Sequence, residues 1–100
     1  MIRPQTTASE PYRKAEQARY LLENDLFREV LRSIDSEIVV KWRDESDPDE
    51  RTVLFFRQKA LREIQDDLLK MVEKAADHDA REGIEGSAWR EIYNTLKDME

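Results

Sequence analysis

The sequence predicts an all-α fold, an elongated antiparallel helical hairpin with a short C-terminal helix. Three observations carry that expectation. Apolar residues recur at helical spacing through most of the chain. Only two glycines and three prolines occur in 100 residues, too few turn formers for a β-rich fold. Charged residues make up 40% of the chain and hydrophobic residues 39%. An average domain is about one quarter charged, so much of each helix must face water. The length fits a single domain, placed at residues 9–100 and preceded by a flexible arm over residues 1–8 that shows no periodicity.

The first helix is expected over about 10–23. Ser9 suits an N-cap, and Pro11 falls in the first turn, where a missing N–H does no harm. Tyr12, Ala15, Ala18, Leu21 and Leu22 supply its apolar face. Asn24-Asp25 breaks the pattern, and either residue suits the cap of a second helix over about 25–43. Phe27, Val30, Leu31, Ile34, Ile38 and Trp42 then form one stripe. That stripe passes through the β-branched run Ile38-Val39-Val40 and favours helix there over strand.

An acidic turn follows, and its end is the strongest local signal in the chain. Asp47 fits an N-cap, Pro48 the first helical position, and Glu50 the third position of a capping box. Asp49 and Glu50 also suit the positive end of the helix dipole. The third helix is expected over about 48–81 and stops at Gly83. Its main face reads Val53, Phe56, Ala60, Ile64, Leu68, Met71, Val72 and Ala75. Leu54, Phe55, Leu61 and Leu69 widen it, which implies packing on two sides. Ser87 caps a last helix over about 88–98, with Trp89, Ile92, Tyr93, Leu96 and Met99 on one face. At 1.5 Å per residue the third helix spans about 50 Å, as do the first two together. The first two therefore fit end to end along the third.

Composition excludes several classes of function. With no cysteine, there is no disulfide scaffold, thiolate metal site or cysteine nucleophile. No apolar stretch approaches the roughly 20 residues of a membrane span, and the first ten residues hold no signal-peptide core. The formal net charge is −6, concentrated between Glu23 and Glu50, where ten acidic residues stand against four basic. Nucleic-acid binding needs the opposite balance. Glycine only at 83 and 86 leaves no phosphate-binding loop.

Nothing in the chain assembles into a catalytic or metal-binding pattern. His78 is the lone histidine, with no serine placed to pair with it, and it reads as a surface or capping residue near a helix end. Asp44, Glu45, Asp47, Asp49 and Glu50 lack the glycine and terminal ligand of a calcium loop. They read as a solvated turn or as an acidic contact for a basic partner. Arg57, Lys59 and Arg62 read as a solvated helix face, with Lys59 and Glu63 spaced for an i, i+4 ion pair. No enzyme activity, metal or cofactor is expected. The aromatic residues are more informative, because a thin hairpin shelters few large side chains and aromatics are enriched at interface hot spots. Trp42, Phe55, Phe56, Trp89 and Tyr93 are the candidate protein-interface residues, with Phe55 or Trp89 expected to meet another chain.

The run from Ala18 to Glu73 reads Ala-Arg-Tyr-Leu-Leu-Glu-Asn-Asp-Leu-Phe-Arg-Glu-Val-Leu, then Ile-Val-Val-Lys-Trp-Arg, the Asp-Pro turn, and Arg-Thr-Val-Leu-Phe-Phe-Arg-Gln-Lys-Ala-Leu-Arg-Glu-Ile. It resembles small helical-hairpin proteins encoded in the head and DNA-packaging region of tailed-bacteriophage genomes. The resemblance implies a non-enzymatic role in head assembly or DNA packaging, in the host cytoplasm or the virion. It implies protein partners, either copies of the chain or a larger phage protein, and it carries no catalytic residues. The acidity supports a second expectation from a different class. The chain would then be a small inhibitor that mimics nucleic acid toward a host defence complex, using Asp44, Glu45, Asp47, Asp49 and Glu50.

Overall fold

The computed structural model describes residues 10–99. The expected arm over 1–8 and the Ser9 cap lie outside the described residues. Four helices follow one another: α1 (Glu10–Glu23), α2 (Asp25–Asp44), α3 (Pro48–Arg81) and α4 (Ala88–Asp98). The described residues contain no strand. The chain is an elongated helical hairpin, 56 × 32 × 24 Å, in which α3 is the spine and α1, α2 and α4 all pack on it. No helix among the described residues is long and apolar enough to cross a membrane.

Local chemistry sets the helix ends. Asn24 caps α2, its Oδ1 accepting from the Phe27 N–H at 2.8 Å. This satisfies one of the donors a helix start leaves free. Asp47 caps α3 by accepting from the Asp49 N–H at 3.0 Å. The expected capping box closes differently: the Asp47 N–H donates to Glu45 Oε2 at 3.1 Å, so a residue before the cap fills the place foreseen for Glu50. At the far end of α3 the Ile84 N–H reaches the Asp79 carbonyl at 2.9 Å and the Gly83 N–H reaches Ala80 at 3.2 Å. Gly83 has φ +76°, the left-handed conformation that lets glycine turn the chain in this paired C-terminal cap. The turn sends α4 back along α3.

The core lies in the half of the molecule where three helices meet. Ala18 of α1, Leu69 and Val72 of α3 and Leu96 of α4 are buried together. Small Ala15, Ala18, Ala75 and Ala76, all buried, let the helices approach closely. Toward the acidic turn only α2 and α3 remain, and their buried residues are Ile38 and Leu54. The long expected face of α3 is therefore covered over only part of its length. Leu68, Met71, Val72 and Ala75 are sheltered, whereas Val53, Phe56, Ala60 and Ile64 stand exposed. The reason is a change of neighbour: in the first half of α3, α2 packs on the line of Leu54, Gln58 and Leu61 instead.

Candidate protein-interaction site

A groove runs between α2 and α3 from the point where α4 stops. Its inner cavity, about 470 Å³, is lined by Leu31, Arg32 and Asp35 of α2, by Leu61, Arg62, Gln65 and Asp66 of α3, and by Met99 at the end of α4. A second, more apolar cavity of about 260 Å³ lies nearer the turn, between Ile38, Val39 and Trp42 on one wall and Phe55 and Gln58 on the other. Gln58 spans the two helices and donates to Asp35 Oδ1 at 2.9 Å. In the other half of the molecule α4 rests on α1 and α3. Here the corresponding seat beside α2 and α3 is open to water.

The aromatic residues separate into two groups. Phe55 is 50% exposed, Phe56 57% and Trp42 36%, and all three sit at the turn end. The two phenylalanine rings meet edge to face with centroids 5.5 Å apart. The Arg51 guanidinium lies over the Trp42 ring at 4.4 Å, a cation–π contact that covers one face of the indole. Trp89 and Tyr93, by contrast, are half-buried and pack against the Ala18–Leu69–Val72–Leu96 core. Arg90 and Lys97 lie over the Tyr93 ring at 5.7 and 5.9 Å. The structure thus brings Trp42, Phe55 and Phe56 together and places Trp89 and Tyr93 at the opposite half.

The five acidic residues of the turn have unequal roles. Asp47 and Glu45 are engaged in capping hydrogen bonds. Asp44, Asp49 and Glu50 are exposed and free of ion pairs among the described residues. The expected Lys59–Glu63 pair does not form, both side chains pointing to solvent. No group of three or more metal-ligating side chains occurs among the described residues.

One polar cluster was not foreseen from sequence. Asp79 is buried, 6% exposed. It accepts hydrogen bonds from the Tyr12 hydroxyl at 2.5 Å and the Ser87 hydroxyl at 2.6 Å. These donors hold its carboxyl below the usual carboxylate range, the Ser87 bond contributing most. The carboxylate in turn raises the Tyr12 phenol above its ordinary value. His78 is half-buried beside it, its ring edge-on to Tyr12 at 5.4 Å. The arrangement ties the start of α1, the end of α3 and the cap of α4. Ser87 is engaged twice, since its Oγ also accepts from the Trp89 N–H at 3.2 Å.

Comparison with protein-family models, curated proteins and solved structures finds no match to this chain.

Proposed function

We propose that this chain is a non-enzymatic assembly protein that acts through helix-mediated contacts at its turn end. The observation that carries this reading is the open seat beside α2 and α3. Phe55 and Trp42 stand there partly exposed, with Phe56 exposed on the adjoining face of α3, next to cavities that no helix of the chain fills. Exposed apolar patches of this kind mark contact sites in proteins of modest size. Head assembly or DNA packaging in a tailed phage is the setting proposed for it, on the strength of the resemblance over residues 18–73. The contacts would be with copies of the chain or with a larger phage protein.

The test is site-specific photo-crosslinking in infected cells. A photoreactive amino acid replaces Phe55, and a second chain carries it at Lys74, on the exposed surface of the three-helix half. A protein captured from position 55 and not from position 74 supports the reading. Equal capture from both positions, or none from 55, overturns it. The mass of the product tells whether the captured protein is a second copy.

A further inference from the structure

The turn end of the molecule carries two apolar surfaces with opposite charge around them. The first is the groove. Arg32, Arg43 and Arg62 line its two cavities and Arg28 lines the adjoining recess beside Leu22 and Leu96, with Asp35 and Asp66 as the carboxylates among them. Asp35 is held by Gln58. None of the four arginines takes part in an ion pair among the described residues. In a chain of net charge −6, the groove and its recess set four arginines against two aspartates.

The second surface is a ridge on α3. Val53, Phe56, Ala60 and Ile64 are all exposed and fall on one stripe. At about 100° per residue this stripe lies about a third of a turn around α3 from the line that meets α2. Asp49, Glu63 and Asp67 follow one edge of the ridge, with Lys59 flanking Glu63, and Arg57 and Glu50 stand on the other.

We propose that the ridge of one copy seats in the groove of the next, so that copies of this chain associate head to tail. The proposal rests on the reading of the chain as an assembly protein. Charge and packing agree on it. Carboxylates edge the ridge and arginines edge the groove, so the pairing joins unlike charges. A helix in the groove also completes locally the three-helix packing that α1, α3 and α4 make in the other half. Because the two surfaces differ, the contact is heterologous and repeats, closing into a ring or continuing as a filament.

A charge exchange tests this. The groove variant carries Arg32→Glu and Arg62→Glu. The ridge variant carries Glu63→Lys and Asp67→Lys. All four side chains are exposed and free of ion pairs, and circular dichroism melting checks that each variant folds as wild type. Light scattering over a concentration series reads the mass. The wild type is expected to grow in mass beyond the 11.9 kDa monomer at low salt and to shrink at high salt. Each variant alone should associate at least about tenfold more weakly. An equal mixture should regain wild-type association, since every contact then joins unlike charges. A mixture that stays dissociated overturns the proposal, as does a ridge variant that assembles like wild type. A wild-type chain that is monomeric throughout, while position 55 still captures a different protein, overturns the head-to-tail contact and leaves the assembly reading standing. Monomers with no capture overturn both.

Discussion

Tyr12 and Asp79 stand 67 positions apart in sequence and share a hydrogen bond of 2.5 Å. With the Ser87 hydroxyl on the other oxygen, the carboxylate joins three helices at one point. A buried carboxylate is costly unless its oxygens are paired, and here each oxygen accepts from a hydroxyl. The bond ties the start of α1 to the end of α3. It is the longest-range polar contact in the described structure and closes the three-helix half.

The same bond gives the chain a pH dependence with a defined sign. Asp79 has a lowered value in the folded state. Its contribution is present above the ordinary carboxylate value of about 4 and is lost as pH falls through the depressed folded value. Tyr12 is raised, so its contribution is full below the ordinary phenol value of about 10 and is lost as pH rises through the folded value. Thermal melts from acid to alkaline pH should show both limbs in the wild type. Asp79→Asn should melt lower at neutral pH and show a weaker acid limb. Tyr12→Phe should weaken the alkaline limb. Variants whose pH profiles match the wild type would refute the assignment.

The two halves of the molecule should respond differently to truncation. Leu96 is 3% exposed in the three-helix core. Leu96→Ala leaves a cavity between α1, α3 and α4 and should cost about 3 kcal/mol in chemical denaturation. Phe56 is larger but lies on the uncovered ridge, so Phe56→Ala should cost about 1 kcal/mol or less. If Phe56→Ala destabilises as much as Leu96→Ala, the ridge is covered within the single chain.

The helix boundaries were legible because each rests on residues within a few positions of one another. Asn24, Asp47 and Ser87 as caps and Gly83 as the stop are local choices, and all four helices fall where the spacing places them. Partners across the chain were not legible. Periodicity shows that Val53 and Met71 share one line of α3, but not that a neighbour shelters only Met71. The Asp79 cluster combines a tyrosine, an aspartate and a serine from three elements, and no spacing rule connects them. A weak signal was present in Asp79 itself, an acidic residue set beside Ala75 and Ala76 on the inner face of α3. The arginine-lined groove is not legible in sequence because its arginines alternate with carboxylates along each helix and gather only when α2 and α3 are laid side by side.

The Asn24 cap separates α1 from α2 and is testable alone. Its side chain satisfies the Phe27 N–H, and its own N–H donates to the Leu21 carbonyl at 3.1 Å. Asn24→Ala keeps the second bond and removes the first. The expected loss is about 1 kcal/mol by chemical denaturation, with helix content nearly unchanged. Asn24→Asp should retain wild-type stability, because a carboxylate accepts the same N–H at a helix start. Loss of stability in the aspartate variant would show that Asn24 acts through something other than capping.

Amide hydrogen exchange should divide the chain at the end of α4. Exchange proceeds through local opening, and opening is hardest where backbone hydrogen bonds lie beneath packed apolar side chains. The amides around Leu69, Val72 and Ala76 lie under both α1 and α4, so they should exchange only by global unfolding. From Ile34 onward those of α2 are backed by α3 alone, and Ile38 is the single buried residue of that helix. Residues 30–42 should therefore exchange much faster than residues 68–76, although both segments are helical. A partner seated in the groove removes this contrast. Slowing confined to α2 and the first half of α3 on raising protein concentration would locate the contact at the turn end. Uniform protection along α3 in the dilute chain would show instead that the hairpin end is stable without a partner.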